Sequence, residues 1–125
     1  MNLLLDTHIL LWWLADDPRL GDSIRDAIVD PSTRVLISAA SVWEIGIKQS
    51  IGKLTVPESI LLIIEGEGFE ELPITARHAE LAARLPAHHR DPFDRMLIAQ
   101  AVLEGLILVT SDRQIEAYDL ALMQP

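Results

Sequence analysis

The stretch "RDPFDRMLIAQA", residues 90–101, places Asp91 and Asp94 three residues apart at the entry to an apolar helix. One capping acid is enough to start a helix. Asp91 before Pro92 supplies it, because Asp favours the N-cap and Pro the first helical position. Asp94 is then either a first-turn acid favoured by the helix dipole or a group with chemistry to perform. Three more acids stand at similar junctions: Asp6 after "LLL", Glu44 within "SAASVWEIGIK" and Asp112 after "LILVTS". Asp112 taken alone reads equally well as a cap for the last helix. Asp6 and Glu44 are harder to read as surface decoration, because an acid among apolar neighbours needs a partner or a metal.

Four carboxylates meeting at one place would do a recognisable kind of chemistry. Two of them about 5 Å apart repel by roughly 3 kcal/mol at an effective dielectric near 20, and four multiply the pairs. Such a cluster persists if a divalent cation occupies it or if some carboxylates hold protons. All-oxygen ligation without cysteine selects Mg²⁺ or Mn²⁺. Those ions equip a site for phosphodiester hydrolysis.

The elements that would position these acids alternate along the chain. "NLLL" reads as a buried parallel strand, and Thr7 as the cap of a helix "HILLWWLA" that stops before Pro18. "GDSIRDAIVD" has helical spacing closed by Pro31. "RVLIS" is a second strand, followed by a helix capped by Ser38 or Ser41. Pro57 suits the first turn of "ESILLIIEGE". "FEELPI" is a third strand, Thr75 caps "ARHAELAARL", and the helix of the opening stretch runs to Gly105. "LILVT" is a fourth strand and "LALM" a short fifth. This alternation predicts a mostly parallel sheet of four to five strands covered on both faces. In such sheets ligands bind beyond the carboxyl ends of the strands, where the strand order switches. Asp6, Glu44, Asp94 and Asp112 all fall near that rim.

The remaining polar residues carry weaker signals. His8 reads as structural. His88, His89 and Arg90 form a small basic loop, either touching a phosphate or simply solvated. Trp12, Trp13 and Leu14 divide between core packing and a partner surface.

Composition bounds the class. The 125 residues fit one domain, 1–125, with half of them apolar, no cysteine and a formal charge of −9. That charge argues against a passive nucleic-acid clamp and fits a cationic partner or acids neutralised by metal. No run is long enough to span a bilayer and no secretory signal is evident, which predicts a cytoplasmic protein without membrane attachment.

The blocks "LLLDTHILLWWL", "SAASVWEIGIKQSIGKL", "RDPFDRMLIAQA" and "LVTSD" resemble the four acidic motifs of PIN-domain ribonucleases. More narrowly, they resemble the VapC-type toxins of type II toxin–antitoxin pairs. The resemblance covers the whole chain. It implies a three-layer α/β/α sandwich and an endoribonuclease dependent on Mg²⁺ or Mn²⁺, acting on structured RNA such as tRNA or rRNA. Carried over by motif, the catalytic and metal-holding residues are Asp6, Glu44, Asp94 and Asp112. The Asp residues would hold metal directly, and Glu44 would act through water. The resemblance also implies a homodimer and a cognate antitoxin whose tail enters the acidic groove, to which a −9 surface is attractive. With no strongly basic face, RNA affinity falls to the metal, to dimerisation and to Arg34, Lys48, Lys53, Arg90, Arg95 and Arg113.

Two other classes compete. A phosphoacceptor regulatory domain would need an acid pair near the N-terminus and a Lys after a late strand, but the first acid is single and no Lys follows Lys53. A catalytically inactive PIN-fold binding module would have no need of all four acids.

Overall fold

The computed structural model describes residues 1–56 and 59–125. Five parallel strands form its centre: β1 (Asn2–Leu5), β2 (Arg34–Ser38), β3 (Glu70–Leu72), β4 (Ile107–Val109) and β5 (Leu122–Met123). They lie in the order β3-β2-β1-β4-β5. Leu3, Leu4 and Leu5 align with Val35, Leu36 and Ile37 of β2 and with Ile107, Leu108 and Val109 of β4. Six helices cover the sheet: α1 (Thr7–Leu14), α2 (Asp22–Val29), α3 (Ala39–Ser50), α4 (Ile60–Gly66), α5 (Ala76–Arg84) and α6 (Pro92–Glu104). Short 3₁₀ turns run over Pro18–Leu20 and Arg113–Ala117. The expected α/β/α sandwich is what forms.

The reason is visible in β1. Side chains alternate across a strand, so an uninterrupted Leu3-Leu4-Leu5 must be buried on both faces, and all three are fully enclosed. Leu3 and Leu5 join Val35, Ile37 and Val109 in a core roofed by apolar residues of α1, α2, α3 and α4. Leu4 points the other way and joins Leu36, Leu108, Leu97, Ile98 and Ala101, the last three from α6. Burial of each such side chain stabilises the fold by about 1.5–3 kcal/mol.

Helix ends follow the sequence signals with one exchange of roles. Ser38 caps α3 and Thr75 caps α5, in a capping box completed by His78. Asp91 caps α6 with Pro92 in its first turn, and Gly105 ends it in the left-handed region at φ 65°. Thr7, expected as the cap of α1, is instead its first helical residue. The cap is Asp6, whose Oδ1 accepts from the Ile9 N–H at 2.8 Å. The expectation for Pro57 lies outside the described residues.

Trp12 and Trp13 are half-buried against the first core. Trp13 Nε1 donates to Glu67 at 3.2 Å, and the Arg19 guanidinium stands 4.8 Å over the Trp12 ring. The pair thus packs one side on the core and turns the other to surface contacts.

Candidate active site

With every strand parallel, all the carboxyl ends lie at one edge of the sheet. The chain builds outward from β1 to β2 and β3 on one side, and to β4 and β5 on the other. The switch point is thus between β1 and β4. Asp6 directly follows β1, and Asp112 follows β4 by three residues. Helix α3 leaves the same edge after β2 and carries Glu44 in its second turn. Helix α6 returns toward β4, so its first turn, with Asp94, starts there.

Asp6 is 4% exposed. Its carboxyl is raised above the ordinary value because burial disfavours the charge, although hydrogen bonds from the Thr110 hydroxyl and the Ile9 N–H oppose this. The charge of Glu44 adds to the rise. Asp94 responds more strongly. Burial pushes its carboxyl up to about 7, the charges of Asp91, Asp6 and Asp112 push the same way, and His89 opposes them. Asp94 therefore feels the charges of Asp6 and Asp112, and Asp6 feels that of Glu44.

Each acid is held by contacts of its own. Glu44 Oε1 accepts from the Thr7 hydroxyl at 2.6 Å, and Thr7 also shares a hydrogen bond with Ser41 at 3.0 Å. Lys48 Nζ lies 3.5 Å from Glu44 Oε2. Asp112 divides its two oxygens. Oδ1 accepts from the Gln114 N–H at 2.9 Å, so the residue does cap the last 3₁₀ turn, while Oδ2 lies 2.6 Å from His89 Nε2. The same His89 nitrogen is 3.0 Å from Asp94 Oδ2. Ligand atoms of His89, Asp94 and Asp112 all lie within 4.8 Å of one another.

The donor set fits a divalent cation. It is mostly carboxylate oxygen, and two of the carboxylates are held in surroundings that oppose their charge, a condition a cation would relieve. Among the described residues, Asp94 and Asp112 are the acids whose ligand atoms come together, beside His89; Asp6 and Glu44 are outside that cluster and reach it only through charge, Asp6 acting on Asp94 and Glu44 on Asp6.

Three positively charged residues of the sequence reading have other work here. Arg34 opens β2, at the opposite end of the strand from the site, and pairs with Glu70 at 2.7 Å. The Arg95 guanidinium donates to the carbonyls of Ala82, Leu85, Pro86 and His89 at 2.8–3.2 Å, bracing the loop between α5 and α6. Lys48 attends Glu44. Lys53, Arg90 and Arg113 are exposed, and the last two adjoin His89 and Asp112.

The residue that sequence reasoning undervalued is His89. His88 is exposed and sits edge-on to Tyr118, as a solvated loop residue would. The side chain of His89 is only 10% exposed and turned into the acids. The one local trace of this is Asp91 two residues on, whose backbone N–H donates to His89 Nδ1 at 3.1 Å.

A family model for the PIN domain matches residues 3–120. The chain belongs to the PIN-domain family. Ribonuclease VapC22 of Mycobacterium tuberculosis is 31% identical to this PIN domain over 120 residues, covering 94% of it and 92% of that relative. Its fold is similar to that of VapBC2 from Rickettsia felis bound to a promoter DNA fragment, with TM-score 0.76, 17% identity, and 100% and 99% of the two chains covered. DNA-bound VapBC from Salmonella typhimurium gives TM-score 0.74 and 22% identity, over 99% and 98%. At those identities the structural likeness bears on the PIN fold itself, and the sequence likeness places the chain in the VapC branch. No helix among the described residues is long and apolar enough to cross a membrane.

Proposed function

We propose that this PIN domain is a divalent-metal-dependent endoribonuclease, the toxin of a toxin–antitoxin pair acting in the cytoplasm, with structured RNA such as tRNA or rRNA as substrate. The observation that carries the reading is the convergence of Asp94 and Asp112 on one cluster at the β1/β4 switch point, with Asp6 near enough that its charge adds to the burial and the Asp91 charge that raise Asp94 to about 7. A purely structural set of caps would not need acids from separate elements to converge.

Asp6, Asp94 and Asp112 hold the ion, which is Mg²⁺ or Mn²⁺. When bound, the ion supplies polarisation of the phosphoryl oxygen and a lowered pKa for its water. Glu44 orients the attacking water and takes its proton; Thr7 fixes the carboxylate through Oε1, and Lys48 stands 3.5 Å from Oε2. Arg90 and Arg113 draw the RNA phosphates to the rim. The negative charge of the whole chain suits a cognate antitoxin that presents cationic residues to the same groove.

The active form is a homodimer joined through α3 and α6. Trp43 and Ile47 on α3 and Ile51 just after its end recur every four residues with exposures of 66%, 37% and 59%, an apolar stripe unusual for a lone domain. Trp43 forms one wall of a pocket of about 380 Å³ whose other lining residues are Ala40, Ile74, Pro92, Phe93 and Met96, and its ring meets Phe93 edge-on at 5.4 Å. An exposed apolar stripe that runs into an apolar pocket is a surface a second copy can cover by presenting the same stripe in return.

The test is cleavage of a tRNA or rRNA fragment by purified protein with Mg²⁺ or Mn²⁺. Cutting should stop with a chelator and with Asp6→Asn, whose amide still caps α1. Cutting by Asp6→Asn at the wild-type rate would remove the assignment.

A further inference from the structure

His89 is built into its place by five separate contacts. Its backbone N–H donates to the Tyr118 hydroxyl at 2.9 Å, and that hydroxyl donates to the Pro86 carbonyl at 2.7 Å. Its own carbonyl accepts from Arg95 at 3.2 Å. On the ring, Nδ1 lies 3.1 Å from the Asp91 backbone nitrogen, and Nε2 lies 2.6 Å from Asp112 Oδ2 and 3.0 Å from Asp94 Oδ2.

The Asp91 contact decides the ring's chemistry. A backbone N–H can only donate, so Nδ1 must keep its lone pair as the acceptor. The ring hydrogen then sits on Nε2 and points between the two carboxylates. An Nε2 that carries hydrogen cannot also give a lone pair to a metal. The ring therefore acts on the carboxylates rather than on the ion.

We propose that His89 is a positioning residue of the acidic centre: its Nε2–H donates to Asp94 and Asp112 and directs their remaining lone pairs toward a shared divalent cation. This rests on reading the acids as a metal centre. Metal-site ligands are commonly oriented by such outer partners, and losing one typically costs about 10–100-fold in metal affinity. Helix α6 and the turn after β4 otherwise present their acids independently; His89 makes one donor common to both.

Mn²⁺ affinity, measured by calorimetry or by the free-Mn²⁺ electron paramagnetic resonance signal, tests this without reference to activity. His89→Ala should weaken Mn²⁺ binding by about 10–100-fold, and His89→Gln, whose amide N–H reaches the Nε2 position, should restore most of it. Electron spin-echo modulation of the Mn²⁺ form of the wild type should show no directly bound imidazole nitrogen. Wild-type affinity in a folded His89→Ala chain would overturn the proposal, and so would a directly bound nitrogen. If alanine unfolds the chain, His89→Gln decides: near-wild-type affinity supports the donor role and a large loss overturns it. Asp94→Asn separates the two levels. It should abolish Mn²⁺ binding, and if it binds as the wild type does, or if the wild type takes up no Mn²⁺, the centre itself falls and this role with it.

Discussion

The Thr7 hydroxyl donates to Glu44 Oε1 at 2.6 Å, tying the first turn of α1 to the second turn of α3 across 37 residues of sequence. Thr7 is 3% exposed, and the Glu44 side chain is 14% exposed. A hydrogen bond to a charged group in such a place contributes about 1.5–3 kcal/mol. Thr7→Val keeps the shape and removes the donor. It should lower stability by about that amount and also slow RNA cleavage, because Glu44 loses its orientation. Thr7→Ser should keep most of both. Chemical denaturation and single-turnover cleavage read the two effects separately.

Asp94 makes the metal-free protein pH-sensitive in a defined direction. Its folded pKa is about 7 against an ordinary 3.8, so the folded state binds more protons between those values. The stability it contributes is fully present below 3.8 and is lost as pH rises through about 7. Asp17, held at about 2 by Arg19, works the other way but only at lower pH. The contribution of Asp94 to metal-free stability should therefore fall as pH rises from about 4 to about 7, by less than about 1.4 kcal/mol per pH unit because solvent screens this partly exposed group. In Asp94→Asn this slope should flatten, and Mn²⁺ should raise the melting temperature of the wild type but not of the variant.

The two acids of the α6 entry should separate by substitution. Asp91 Oδ1 accepts from the N–H groups of both Phe93 and Asp94, at 2.8 and 3.2 Å. Asp91→Ala should cost about 0.5–2 kcal/mol of stability. Asp91→Asn keeps a cap and deletes a charge that pushes Asp94 upward, so it should shift the pH profile of stability to lower pH with little loss. Asp94→Asn should remove activity and leave the helix intact.

Arg95 should prove a scaffold residue rather than an RNA contact. Its fork spans four carbonyls, which a lysine cannot reproduce. Arg95→Lys should lower stability by about 2–4 kcal/mol through unpaired carbonyls. Arg113→Gln should instead weaken RNA binding and leave the melting temperature unchanged.

Much of this was legible in the sequence where the cause is local. Leu3-Leu4-Leu5 must be a doubly buried strand, Pro92 must follow a cap, and an acid after a parallel strand falls at the ligand edge. What stayed hidden depends on partners far along the chain. Thr7 looks like a cap until Asp6 takes that role and leaves the hydroxyl to meet Glu44. His89 looks like one of two loop histidines until Asp112, 23 residues later, arrives beside it. Arg34 and Arg95 look like free cations until Glu70 and a ring of carbonyls claim them. Asp6 and Asp112 teach a related point: each is both a cap and a member of the acid rim, because a carboxylate has two oxygens.

The most direct measurement is single-turnover cleavage of one RNA by wild type, Asp6→Asn, Glu44→Gln, Asp94→Asn and Asp112→Asn, with Mn²⁺ affinity and circular dichroism taken on the same samples. The account predicts folded variants, each slower by more than about 100-fold, with Mn²⁺ binding lost first in the Asp variants. Four folded variants that cut at wild-type rates, or a wild type that neither binds Mn²⁺ nor cuts RNA, would contradict it.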